Sequence, residues 1–225
     1  MMELAKNGKK NYLAVFGDIE RSRIVGNREM TQRALKKRLD EVNYRFSQDL
    51  AVPFTISMGD EYQGLLKEPT QAISLLNALD VAGLLSFRFG LGWGTVETGW
   101  STRTSEMDGP CFHAARSAIE RGKIEERWVT FSTAVEDEDL VNVINGVWRL
   151  VQLIRDGWTE KQHSAVLIRR GKHTSKATAE QMGMDKSTLS KMLKAANYKV
   201  LIEAERTLEL LMRDYLVKRI ERNGG

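Results

Sequence analysis

The residues best suited to chemistry are two acidic sites, Asp18 in Phe16-Gly17-Asp18-Ile19 and Asp60-Glu61 in Met58-Gly59-Asp60-Glu61. Carboxylates brought together repel one another until a cation relieves them. Mg²⁺ is a hard ion that keeps much of its water, so one or two carboxylates plus a ligand's phosphates suffice to hold it. If Asp18, Asp60 and Glu61 converge, the expected cofactor is Mg²⁺ or Mn²⁺. The expected ligand is a nucleoside triphosphate or a related nucleotide. Each site also has a plain structural reading. Gly-Asp suits a hairpin tip, Asp18 could cap a following helix, and Glu61 could be a solvated hairpin charge.

The elements that must position these groups follow from periodicity. Tyr12–Phe16 reads as a buried strand ended by Gly17. Glu20–Gly26 is expected to open a long helix whose N–H groups, with Ser22, Arg23 and Arg28, could receive phosphate oxygens. Between Asn27 and Leu50, Met30, Ala34, Leu35, Leu39, Val42 and Phe46 recur at helical spacing, and Pro53 is expected to stop that helix. Phe54–Met58 and Tyr62–Leu66 read as a hairpin. Pro69 starts a second helix with Ala72, Ile73, Leu76, Leu79 and Val81 as its stripe and Gly83 at its end. Ser86–Trp93 is a fourth strand. The order βαββαβ predicts an α+β, ferredoxin-like domain over residues 11–135. Within it Phe112–Ile119 reads as a third helix and Trp128–Phe131 as a fifth strand. Arg116 on the third helix is the candidate catalytic cation for phosphoryl transfer, and Arg88 and Arg116 suit structural ion pairs equally well. His113 reads as a half-buried helix residue. Trp93 and Trp100 suit either a pocket or the core.

A helix over Leu140–Ile154, within residues 136–156, is the expected connection to an all-α part at 157–225. In 175–194, Ala179 is small where two helices approach, Gly183 suits a left-handed turn, and Leu189 anchors the second helix. This is helix-turn-helix spacing. Asp185 or Ser187 caps that helix, leaving Lys186, Ser187, Thr188, Ser190, Lys191 and Lys194 exposed. These side chains suit phosphates and base edges of double-stranded DNA. Charge agrees: residues 155–225 carry 15 Lys/Arg and 9 Asp/Glu, against 19 and 21 in the rest of the chain. A helical hairpin with a solvated basic face is the plainer reading. The seam Leu201, Ala204, Leu208, Leu211, Tyr215 suits either pairing as a homodimer or packing back on the domain.

Composition narrows the class. In 225 residues, 42% hydrophobic and 28% charged, no apolar run approaches a membrane span. One cysteine and three histidines exclude a disulfide framework and argue against structural zinc, which fits a cytoplasmic protein.

The segments Phe16–Ile19, Met58–Glu61, Arg88–Gly94 and, more weakly, Asp108–Arg116 resemble class III nucleotidyl cyclase and related palm domains. The chain as a whole resembles the SatD family, which joins such a domain to a helix-turn-helix. Asp18–Arg23 and Gly59–Gln63 carry that match. The resemblance implies metal at Asp18 and Asp60, with the backbone carbonyl of Ile19 helping, and a DNA-binding regulator that senses a nucleotide; the alternative is an active metal-dependent nucleotidyl cyclase or nucleotidyltransferase targeted to DNA. Two departures weigh against cyclase chemistry. Phe54 and Thr55 stand where a base-reading Lys is usual, and Phe112 or His113 where an Asn positions the transition state.

Overall fold

The computed structural model describes residues 10–22, 28–80, 85–134, 137–171 and 174–217. The first half runs β1 (Asn11–Ser22), α1 (Arg28–Arg45), β2 (Leu50–Met58), β3 (Glu61–Leu66), a 3-10 turn (Pro69–Gln71), α2 (Ala72–Leu79) and β4 (Leu85–Thr95). These strands lie in the order β2-β3-β1-β4, each pair antiparallel. That is the ferredoxin-like βαββαβ sheet the periodicity predicts. α3 (Pro110–Ile124) and β5 (Val129–Thr133) follow, and β5 joins the sheet parallel to β4.

Several boundaries differ from expectation. β1 does not stop at Gly17 but continues through Asp18 to Ser22, pairing Asp18 with Arg88 and Ile19 with Phe87. The ladder to β4 continues past the glycine because β4 is itself long. Asp18 is therefore a strand residue and caps no helix. Pro53 stops nothing: it lies exposed within β2, an edge strand, where its missing N–H leaves no ladder bond unmade. α1 ends at Arg45, and Met30 is exposed rather than part of its buried stripe. α2 ends at Leu79, and the expected stop at Val81–Gly83 lies outside the described residues.

Alternation along the strands separates two apolar layers. Leu13, Val15 and Ile19 face α1 and α2, with Phe87, Phe89, Leu91 and Trp93 of β4 beside them. Ala14 and Phe16 face α3, against Cys111, Phe112, Ala115 and Ile119. On that face β4 presents Gly90 and Gly92, and the α3 backbone lies directly on them. A Cβ at Gly92 would sit 2.1 Å from the Cys111 carbonyl oxygen.

Both sheet edges are closed by asparagine. Asn43 of α1 accepts the Phe54 N–H at 2.7 Å and donates to its carbonyl at 2.9 Å. α4 (Glu138–Asp156) treats the opposite edge alike: Asn145 accepts the Phe131 N–H at 2.7 Å and donates to its carbonyl at 2.9 Å. Each amide acts as one residue of a missing strand, meeting the N–H and carbonyl of an edge residue, and Arg121 also donates to the Phe131 carbonyl at 2.9 Å.

The remaining elements are helical: α5 (Glu160–Gly171), α6 (Ser175–Gln181), α7 (Lys186–Ala195), α8 (Tyr198–Leu211) and a π-helical turn (Met212–Val217). Their apolar faces continue the α1/α2 layer without a break, from Trp148 and Val151 through Ala165, Leu189 and Leu201 to Leu208. The seam of α8 packs back against α2 and α4.

Candidate functional site

The acidic groups meet on the α3 side of the sheet. The β1–β3 register sets Gly17 opposite Tyr62, so Asp18 and Glu61 project from adjacent strands toward the end of α3. Lys123, in the last turn of α3, fills the space between them. Its Nζ lies 3.7 Å from Asp18 Oδ2, 3.3 Å from Glu61 Oε1 and 3.2 Å from Glu120 Oε1. Arg116, two turns earlier on α3, donates to Glu61 Oε2 at 3.2 Å, with its guanidinium 4.8 Å from the Phe16 ring centre.

Charge balance here is uneven. Burial raises the Asp18 pKa, and the Asp60 and Glu61 carboxylates raise it further against Lys123 and Arg88. Burial pushes Glu61 upward too, but hydrogen bonds from Arg116 and Lys123 outweigh it and leave Glu61 lowered. Burial opposes the charge of Lys123, yet Glu120, Asp18 and Glu61 outweigh that and raise it. The site holds more negative charge than its two α3 cations neutralise.

A metal at the expected Asp18, Ile19, Asp60 and Glu61 would have to share its place with a lysine. Among the described residues no three His, Cys, Asp or Glu side chains are grouped to hold an ion. Asp18 and Glu61 do converge on one cationic point, but the Lys123 ammonium occupies it. Asp60 is exposed at the hairpin tip, where Gly59 adopts φ 63°. Ile19 is buried and its backbone is paired with Phe87.

Of the phosphate cradle expected at Glu20–Gly26, the part up to Ser22 is strand, and the rest lies outside the described residues. Ser22 ends β1, and α1 is described from Arg28. Arg23 lies outside the described residues, as do the side chains of Ser22 and Arg28. Trp93 belongs to the core, and Trp100 is exposed with its ring 5.2 Å from that of Tyr12. His113 is exposed rather than half-buried and lies 3.1 Å from Asp108. Lys123 went unread in the sequence, although its place seven residues after Arg116 puts both on one face of a helix.

In the helical part, Gly183 adopts φ 64° between α6 and α7, and the Met184 N–H donates to the Ala179 carbonyl at 3.0 Å. Asp185 caps α7, accepting the Thr188 N–H at 2.9 Å and its hydroxyl at 2.6 Å. Ala179 and Leu189 are buried between the helices. Lys186, Ser187, Thr188, Ser190, Lys191 and Lys194 are all exposed.

Two buried polar clusters tie this part to the α/β part, and no local sequence signal announces either. Asp80, at the end of α2, pairs with Arg155 of α4 and lies 3.2 Å from the His163 ring. Asn77 of α2 accepts from Arg170 of α5 and donates to Glu205 of α8 at 3.3 Å, while Arg170 also pairs with Glu205. Burial pushes Asp80 upward, but the Arg155 charge and the hydrogen bonds from His163 and Arg155 bring it down to about 2.

No helix among the described residues is long and apolar enough to cross a membrane. No curated protein matches the chain. Among solved structures it is similar to a bacterial light-regulated adenylyl cyclase: 16% identity, 56% of this chain and 77% of that one, TM-score 0.41. It is also similar to the dimeric guanylyl cyclase domain of the RhoGC fusion protein from the aquatic fungus Blastocladiella emersonii, with 15% identity over 49% and 74% of the chains and TM-score 0.38. A third is the guanylate cyclase domain of RhGC from Catenaria anguillulae in complex with GTP, with 17% identity over 50% and 73% and TM-score 0.36. Likeness at this level says nothing of activity, and the sheet topology stands on its own strand pairing. The family model for the SatD family matches residues 12–212, nearly the whole chain, and the protein therefore belongs to the SatD family.

Proposed function

We propose that this protein is a DNA-binding regulator whose α/β domain, residues 11–135, binds a nucleotide. In this reading residues 157–225 are the DNA address and 136–156 the connection. The observation that carries it is the exposed, Asp185-capped start of α7, with Lys186, Ser187, Thr188, Ser190, Lys191 and Lys194 on its surface. Caps and turn of this kind present a helix end to the major groove, where lysines meet phosphates and the shorter polar groups meet base edges. Thr188 gives its hydroxyl to Asp185, so Ser187 and Ser190 are the better readers of bases.

The nucleotide reading rests on Arg116, Lys123 and the crowded acidic groups beside them. Mg²⁺ or Mn²⁺ enters here as the companion of the nucleotide, whose phosphates supply the oxygen ligands these groups lack. The second reading is an active nucleotidyl cyclase or nucleotidyltransferase. Its support is the convergence of Asp18 and Glu61 beside Arg116.

Fluorescence anisotropy on duplex DNA tests the first reading. Lys186→Glu with Lys191→Glu should remove retention, and Lys186→Ala with Lys191→Ala should flatten the salt slope by about 2. Unchanged, salt-sensitive binding would move the DNA surface elsewhere. Incubation with ATP or GTP and Mn²⁺, read by chromatography beside Asp18→Asn, separates the two readings. A cyclic or oligomeric product that Asp18→Asn abolishes establishes the enzyme.

A further inference from the structure

Lys123 stands in an unusual position for a lysine. Its ammonium faces three carboxylates from three separate elements: Asp18 of β1, Glu61 of β3 and Glu120 of α3. Most lysines project into water, whereas only 29% of this side chain is exposed, and Asp18 beside it is 16% exposed. Asp18 and Glu61 alone would place two partly buried negative charges together, at a cost that rises as water is removed. The chain meets this with its own cation at the point where the two carboxylates converge.

From this geometry we infer that Lys123 is the resident counter-ion of Asp18 and Glu61, and that its ammonium and a divalent metal ion exclude one another at that position. In the absence of ligand the acidic pair is neutralised from within, and a metal must displace an ammonium before it can approach Asp18. The monovalent charge leaves the exchange within reach. The single ammonium charge is shared among Asp18, Glu61 and Glu120, with Arg116 also on Glu61 at 3.2 Å. A doubly charged ion offers more compensation, at the cost of freeing the lysine. Lys123 thus sets the affinity of the site for metal, and a ligand that takes up the freed ammonium through its own phosphates shifts the balance toward the ion.

The inference goes beyond the nucleotide reading and is tested without nucleotide. Mn²⁺ alone is titrated into the full chain and the free ion followed by electron paramagnetic resonance. Lys123→Met keeps the stem and removes the charge; it should bind one Mn²⁺ at least tenfold tighter than wild type. Adding Asp18→Asn to Lys123→Met should reverse the gain. Equal or weaker binding by Lys123→Met overturns the inference. Should Lys123→Met lose its fold by circular dichroism, Lys123→Gln carries the same expectation. A wild-type measurement needs no variant: at Mn²⁺ concentrations where the resonance shows the ion bound, acetylation of Lys123 by acetic anhydride, read by mass spectrometry, should rise at least threefold. Bound Mn²⁺ with unchanged Lys123 reactivity also overturns it. Because nucleotide and DNA are absent, these outcomes are independent of whether the protein binds either.

Discussion

Arg155 of α4 forms an ion pair with Asp80 of α2 while stacking on Trp128, its guanidinium 3.8 Å from the ring centre. Both partners are almost wholly buried, 10% and 7% exposed. Removing one side of such a pair leaves an uncompensated charge. Asp80→Asn should therefore cost about 3 kcal/mol, read by urea unfolding. The pair also predicts acid sensitivity. The folded pKa of Asp80, about 2, lies below its ordinary 3.8. Its stabilisation is thus complete above 3.8 and is lost as pH falls toward 2. Acid unfolding of Asp80→Asn should lack that component.

The same bridge links the two proposed functions in space. α2 leads toward β4, which lies beside the acidic site, while α4, α5 and α8 carry the helices that lead to α7. Truncation after Asp156 would strand Asp80 without His163, and Asn77 without Arg170 and Glu205. It should lower the melting temperature of the α/β part and leave it prone to aggregation, as read by scattering during a thermal ramp.

Asn145 and Asn43 make a second, independent prediction. Each meets both backbone groups of one edge residue; an apolar replacement of similar size leaves the edge N–H unmet, while the Phe131 carbonyl keeps its hydrogen bond from Arg121 at 2.9 Å. Asn145→Leu, at the more buried edge, should cost about 2 kcal/mol. Asn145→Asp keeps the shape but cannot donate, and should be destabilising at neutral pH. Equal stability of Asn145→Leu and wild type by denaturant titration would remove this account of the edge.

Gly92 tests the close contact of α3 with the sheet. The atoms a Cβ would meet are backbone, the Cys111 carbonyl oxygen at 2.1 Å and the Ala115 nitrogen at 2.2 Å, so no side chain can swing aside. Gly92→Ala should cost at least about 3 kcal/mol, or shift α3 bodily and with it Arg116 and Lys123. Gly146, with nothing within 4 Å of its added Cβ, is the control. Because it lies inside α4, Gly146→Ala should stabilise by up to about 1 kcal/mol.

Asp18 distinguishes a site residue from a structural one. Its folded pKa lies above the ordinary 3.8, so stability falls as pH rises from that value through the folded pKa, and at neutral pH the ionised group is a net cost to the fold. At neutral pH, Asp18→Asn should melt no lower than wild type while losing nucleotide binding measured by calorimetry. A marked loss of stability would make Asp18 a structural residue.

Local patterning was enough to determine much of this protein. Alternation in Leu13–Phe16 and Phe87–Trp93, helical spacing in α1 and α2, and the run Ala179–Gly183–Leu189 each encode an element within about ten residues, because periodicity and turn chemistry are local. The βαββαβ order followed from those elements, and Asp18, Glu61 and Arg116 were legible as residue types in suitable positions. What the tertiary structure alone decided was who meets whom. The extension of β1 past Gly17 depends on the length of β4, its partner in the sheet. Lys123 became the counter-ion of Asp18 only because α3 crosses β4 at two glycines and brings its last turn to the hairpin. Asp80 meets Arg155 and His163, and Asn77 meets Arg170 and Glu205, across separations of 75 to 128 residues. Ion pairs carry no period and no spacing rule over such distances. They exist only once packing has brought the helices together and removed the water between them.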